Sequence, residues 1–236
     1  MTSSMRDLKV YTTYPHSCSY LEDQEATTLF VDPRQPVDQS LYSNLSLLGF
    51  RRSGNHIYRP HCTHCEACIP ARIPVALFEP KRSQRRTINR NRDLRVARTD
   101  DLRDEEAYQL YRRYIEHRHA DGDMYPPERE QYESFLNNAW DCTHYYRFFD
   151  GGALIALAVV DELVDGMSAI YTFFEPEADK RSLGSYAILW QIEKTRELGL
   201  EHLYLGYWIR GCQKMAYKSD YRPLELYINN RWSSLL

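Results

Sequence analysis

"MSAIYTFFEPEADKRSLGSYAILWQIEKTRELGLEHLYLGYWI", residues 167–209, decides the fold. It opens on a β-rich run, "MSAIYTFF". It then turns into "SLGSYAILWQIEKTRELGL", which reads as a helix capped by Ser182 and stopped by Gly199. It closes on a second β-rich run, "HLYLGYWI". Two more β-rich runs come before it, "THYYRFF" (143–149) and "ALIALAVVDEL" (153–163), and Asp150-Gly151 and Asp165-Gly166 mark the turns between the three. That spacing predicts an antiparallel meander. "CQKMAYKSD" (212–220) reads as a short helix and "RPLELYI" (222–228) as a last strand. Strands, a helix, a strand, a short helix and a strand predict an α+β domain with a mixed sheet.

Upstream the pattern is less regular. Residues 1–80 carry Pro15, Pro33, Pro36, Pro60, Pro70, Pro74 and Pro80 as breakers, and they are expected to form a small irregular lobe. Within them residues 37–50 predict a helix with Leu41, Leu45 and Leu48 on one face and Gly49 at its end. "IYRP" and "RIPVALF" predict short strands. Residues 102–118 predict a helix with Leu102, Leu110, Tyr111 and Tyr114 facing inward. The division drawn from this is an N-terminal cysteine-containing lobe, 1–80, and a second domain, 81–236. With 236 residues, 43% of them hydrophobic, the chain has material for one large domain or two small ones sharing a core, which excludes a disordered chain. No secretory leader is visible, and "ALIALAVV" is far too short to span a bilayer. A cytoplasmic, reducing setting is expected, where cysteines serve as ligands or packed thiols rather than disulfides.

Net charge is −3, so no global field drives the chain to nucleic acid. The charge is uneven, however. "KRSQRRTINRNRDLRVAR" (81–98) holds eight cations: Lys81, Arg82, Arg85, Arg86, Arg90, Arg92, Arg95 and Arg98. Such a block suits phosphate contacts, and its lack of aromatics argues against base stacking. The alternative is a solvated helix salt-bridged to the acidic run that follows, Asp100 to Glu106.

"RSLGSYAILW" (181–190) enters the long helix, and a glycine there lets backbone N–H groups approach a phosphate or carbonyl oxygen. GCN5-related acetyltransferases hold acetyl-CoA with Arg/Gln-x-x-Gly-x-Gly/Ala at such a turn. Arg181 and Gly184 match it, but Tyr186 stands where the last small residue belongs. The layout is therefore acetyltransferase-like with the CoA fingerprint broken. Lys214 and Lys218, four apart, are expected on one helical face with Arg222 just beyond. No nucleophile elbow, H-E-x-x-H or P-loop occurs.

"HCTHCEACIP" (61–70) places Cys62, Cys65 and Cys68 three residues apart. A C-x-x-C-x-x-C run brings three thiolates within reach of one zinc ion or iron–sulfur cluster. The alternative is three reduced, packed thiols. Cys142 and Cys212 stand alone inside periodic elements and read as packed thiols.

"TLFVDP" (28–33), "GFRRSGNHIYRPHCTHCEACIPARIPV" (49–75), "RSQRR" (82–86), "YRRYIEHRHADGDM" (111–124), residues 168–209 and "MAYKSDYRPLE" (215–225) together resemble the bacterial aspartate/glutamate leucyltransferases, a branch of the arginyl-tRNA–protein transferases. The resemblance implies an aminoacyl-tRNA–protein transferase of the N-degron pathway. It would move leucine from leucyl-tRNA to the α-amine of proteins beginning with Asp or Glu, with an acetyltransferase-like C-terminal half. It raises the expectation that Lys81, Arg82, Arg85, Arg86 and Arg90 touch tRNA. It also points to Cys18 as the fourth ligand beside Cys62, Cys65 and Cys68, since related transferases carry Cys-x-x-Cys there. Leu21 occupies the second of those positions here, which leaves His61 or His64 as substitutes.

The implied reaction is aminolysis of an activated ester, which needs no cofactor in principle. Expected oxyanion donors are backbone N–H groups near Gly184 and the hydroxyls of Tyr171 and Tyr186. Glu175 is the expected proton acceptor. Arg59, His61, Arg72, Lys214, Lys218 and Arg222 are the candidates for reading the acceptor's carboxylate. Two rival readings are an acetyl-CoA-dependent N-acetyltransferase and a non-enzymatic RNA-binding module.

Overall fold

The structure, a computed structural model, describes residues 8–122, 124–136 and 140–235. The meander is present and one strand longer than expected: β8 (Arg95–Thr99), β9 (Thr143–Asp150), β10 (Ala153–Glu162) and β11 (Gly166–Phe174) pair antiparallel in turn. Helix α5 (Leu183–Glu197) then crosses over, and β12 (His202–Ile209) lies parallel to β11. On its other side β12 pairs with β7 (Cys68–Pro74), which is followed by β13 (Leu224–Ile228) and β14 (Arg231–Leu235). Among the described residues these eight strands make one mixed sheet.

The unbroken apolar run of β10 has a simple cause. Its strand is covered on both faces, as a continuous hydrophobic strand requires. Ala156, Ala158 and Val160 meet α5 residues such as Leu183, Ala187 and Ile192. Leu154, Leu157 and Val159 meet α3 (Glu105–Arg118) and α4 (Arg129–Leu136) through Leu110, Tyr111, Ile115 and Tyr132. Gly199 ends α5 with φ +71°. Ser182 takes the N-cap position but makes no side-chain capping bond.

Residues 8–80 are not irregular. Strands β1 (Val10–Thr12), β4 (Thr28–Val31), β6 (His56–Pro60) and β5 (Arg51–Ser53) form a second sheet in that order, and β2 (His16–Ser17) and β3 (Glu25–Ala26) a small hairpin. Apart from Pro70, which stands inside β7 opposite Tyr207, the prolines sit at strand ends and connections, so they punctuate strands rather than prevent them. Helix α1 (Gln39–Leu47) buries Leu41 and Leu45, while Leu48, expected on the same face, lies at its C-cap and is half exposed. "RIPVALF" is half strand, half 3-10 turn (Val75–Leu77). Leu41, Tyr42, Leu45 and Phe50 share one core with Leu163, in the β10–β11 connection, and Tyr204 of β12. The basic block splits into α2 (Arg82–Arg90) and β8. Among the described residues no helix is long and apolar enough to cross a membrane.

Candidate active site

Strands β11 and β12 pair for only three residues, Gly166–Ser168 against His202–Tyr204. Beyond that point they separate. A bulge in β12 helps: Tyr204 faces Arg72 and Gly206 faces Ala71, so Leu205 is the extra residue. Gly206 adopts φ +80°, a conformation that favours glycine. The parted strands open a cavity of about 1010 Å³. Its walls come from β11, from Gly184, Ser185 and Ile188 of α5, from β12, and from α6 (Gln213–Ala216) with the 3-10 turn after it, Tyr217–Asp220. Residues 18–22, in the turn of the β2–β3 hairpin, reach across from the N-terminal sheet.

Gly184 is on the wall; a Cβ there would stand 3.0 Å from the Phe174 ring. The first N–H groups of α5 therefore border the cavity, and the helix dipole makes that end favourable to negative charge. Tyr171 is also on the wall, with its hydroxyl 3.5 Å from Met124 Sδ and its pKa raised by burial. Tyr186 is not. It packs on Phe148 with ring centroids 5.9 Å apart, because α5 turns that face into the core. Glu175 stands beyond the end of β11, ion-paired with Arg113 at 2.9 Å, off the cavity wall.

The expected cations are scattered. Lys214 and Lys218 do not share a face, since the α-helix tightens into a 3-10 turn between them. Lys214 is exposed and pairs with Asp121 at 3.1 Å. Lys218 is buried, donates to the Tyr207 carbonyl, and lies 3.2 Å from Met215 Sδ. Burial, then the nearby Arg51 charge, pulls its pKa down to about 7. Arg72 is buried elsewhere, bonded to Glu225 at 2.7 Å and stacked 4.3 Å from Trp232. Arg59 lies over Phe50 and donates to the Leu48 carbonyl. His61 is exposed, and Arg222 donates to the Ser219 carbonyl; neither is on the wall.

Sequence reasoning missed Arg51, Tyr114 and His119, all on the wall. His119 Nε2 is 3.3 Å from the Tyr114 hydroxyl, and burial followed by the Lys214 charge lowers its pKa. The signal for Arg51 was its neighbour: in "FRRSG" two adjacent arginines on a strand must face opposite ways.

Helix α2 packs on α5 beside the cavity, and Gln84 donates to the Asp220 carbonyl. Lys81, Arg82, Arg85, Arg86 and Arg90 are exposed. The acidic run does not neutralise them. Asp100 pairs with Arg98, Asp101 with Arg103, Asp104 with Arg147 and Glu105 with Arg129. Among the described residues Arg82, Arg85 and Arg86 have no ion-pair partner. Arg181, the first residue of the glycine turn, is held by Asp93 and Asp150.

The cysteines are free. Burial, then the Cys18, Cys62 and Cys65 thiols, push the Cys68 thiol up to about 12. Among the described residues no three His, Cys, Asp or Glu side chains are arranged to hold a metal ion.

The cavity thus lies between parted parallel strands, beside a helix N-terminus and flanked by a basic helix. Residues 16–86 match the N-terminal model, and residues 106–228 the C-terminal model, of arginine-tRNA-protein transferase. The chain is 58% identical over 228 residues to an aspartate/glutamate leucyltransferase of Pseudomonas paraeruginosa, covering 97% of each chain. It is 58% identical to that of Pseudomonas fluorescens over 95% of this chain and 96% of the other. Among solved structures, L-PGS from Bacillus licheniformis superposes with TM-score 0.52 at 14% identity over 71% of this chain and 62% of that one, a likeness of fold. The chain belongs to the arginine-tRNA-protein transferase family.

Proposed function

We propose that this enzyme transfers leucine from leucyl-tRNA to the N-terminal α-amine of proteins beginning with Asp or Glu, marking them for degradation. The observation that carries the reading is 58% identity, across 97% of both chains, with proteins named for that activity. A cytoplasmic setting belongs to the reading. So does an acetyltransferase-like fold for residues 81–236, supported by the meander, the crossover helix and the parallel β11–β12 pair. The cysteine-bearing residues 1–80 form the second part, joined to it through β7.

In the reaction the α-amine attacks the ester carbonyl carbon and a C–N bond forms. The ester C–O bond breaks, and the amine proton ends on the ribose oxygen. An α-amine has a pKa of about 7.7–8.0, so its neutral form costs roughly 1.4 kcal/mol near neutral pH. Orientation can supply about 7–11 kcal/mol. Positioning is therefore the main task of the cavity. Gly184 and Ser185 N–H groups and the Tyr171 hydroxyl serve the oxyanion. Lys218, its pKa pulled down to about 7 mainly by burial, is the wall group suited to take a proton near pH 7, and His119, with its pKa lowered by burial, stands on the same wall. The apolar wall of Ile170, Phe174, Ile188 and Leu205 suits a leucyl side chain.

The unneutralised arginines of α2 support tRNA contact beside the cavity. The cysteine loop, with Cys18, Cys62, Cys65 and Cys68, is proposed as a zinc or iron–sulfur site. The C-x-x-C-x-x-C spacing supports it, the arrangement of the side chains does not, and no step of the transfer runs through it.

Radiolabelled leucyl-tRNA incubated with peptides beginning Asp, Glu or Ala tests the function. Transfer to the Asp and Glu peptides alone is expected. Transfer that requires acetyl-CoA, or tRNA retention without transfer, would overturn it.

A further inference from the structure

We propose that Arg51 is the residue that reads the acidic side chain at the acceptor's N-terminus. The inference rests on the function proposed above and adds the specificity contact to it. Strand β5 is short, and alternation sends Arg51 to the side opposite Arg52. Arg51 reaches into the gap between β11 and β12. Its Nη1 donates to Ser168 Oγ at 2.7 Å and its Nη2 to the Ala169 carbonyl at 2.6 Å. Both acceptors are neutral. Gly206 makes room for the group: a Cβ there would stand 3.2 Å from Arg51 Nε and Nη2.

The charge of this guanidinium has no counter-ion. Among the described residues no carboxylate lies within ion-pairing distance of Arg51, whereas Arg52, Arg72, Arg113 and Arg181 each have one. The other charged groups on the wall do not replace it. Lys214 is neutralised by Asp121, Lys218 is turned to the Tyr207 carbonyl, and Glu22 is exposed. Among the described residues Arg51 is thus the fixed positive charge of the cavity, partly shielded from water and without an ion-pair partner. Two of its five N–H groups are committed to protein, which holds the fork rigid and leaves donors for a carboxylate. A phosphate is the less fitting anion, because exposed arginines for phosphate lie outside on α2. The apolar wall beside Arg51 takes the leucyl group, so one cavity holds the two reactants at a charged and an apolar end.

The test is the ratio of kcat/KM for a peptide beginning with Asp to that for the same peptide beginning with Asn. The ratio is internal to each variant, so loss of folded protein does not change it. Arg51→Gln is expected to lower the ratio by about tenfold or more, with leucyl-tRNA binding within about twofold of wild type. Arg51→Lys, which keeps the charge but loses the fork, is expected to fall between. If Arg51→Gln gives no folded protein, Arg51→Lys alone carries the test. An unchanged ratio with reduced activity would overturn the proposal and make Arg51 a strut of the gap. An unchanged ratio with weakened leucyl-tRNA binding would overturn it in favour of a donor phosphate. Wild-type protein that uses both peptides equally would overturn the function itself.

Discussion

Arg51 and Arg52 are neighbours in sequence and opposites in environment. Arg52 is buried, with Nε and Nη2 each 2.7 Å from Asp161 and further bonds to the Gly54 carbonyl and Thr143. Tyr42 and Thr143 donate to the same carboxylate. Every part of that guanidinium is answered by protein, and it ties the N-terminal sheet to β10. Arg51 is answered only by neutral oxygens, at the edge of a cavity. Completeness of pairing, rather than burial or residue type, separates a cation that holds the fold from one left for a ligand.

The contrast breaks first at Arg52. Arg52→Ala strands Asp161 in the core and should cost about 3–5 kcal/mol, read as a lower urea midpoint. A loss under 1 kcal/mol would mean that water reaches Asp161. A smaller effect is expected from crowding Arg51. Gly206→Ala forces a side chain into φ +80° and against the guanidinium, at about 1–2 kcal/mol with a fall in transfer rate. Gly151→Ala has φ +59° and open space, so it should lose stability and keep activity. Equal activity losses would show that the guanidinium does not matter.

Lys218 sharpens the comparison through pH. Its folded pKa is near 7 against the ordinary lysine value of 10.5, so between those values the unfolded chain binds more protons. Its contribution therefore makes stability rise with pH from about 7 upward. Lys218→Met should show a flatter rise than wild type in urea midpoints between pH 7 and 8.5. Parallel curves would place Lys218 in its charged form throughout. The smallest effect belongs to the exposed cations. Reversing Arg85 and Arg86 should weaken leucyl-tRNA binding and flatten its log–log salt slope by roughly 0.7–0.9 per lost phosphate contact. An unchanged slope would make α2 a solvated surface.

The meander, the crossover helix and the family were legible because their signals are local: period, turn residues and contiguous motifs. The N-terminal sheet was not, since its strands are three to five residues long and pair at long range, where prolines read as breakers. Strand β8 was hidden inside the basic block. Gly184 and Tyr171, expected to serve the oxyanion, both line the cavity, Tyr171 from within β11 and Gly184 from the first turn of α5. Glu175, Tyr186 and Arg72 lie off the cavity wall, and their partners Arg113, Phe148 and Glu225 come from distant segments that no spacing rule reports. Arg51 was passed over for the mirror-image reason: what marks it is the absence of a carboxylate partner.

The central claim is that the gap between β11 and β12 is where the acceptor binds. The direct measurement is photocrosslinking with an Asp-initiated peptide carrying a diazirine side chain at its second position, mapped by mass spectrometry. Crosslinks to residues 18–22, 169–174 and 205–218, competed by an unlabelled Asp peptide, are the predicted result. Crosslinks concentrated on β13 and β14 around Arg72 and Glu225 would contradict the account.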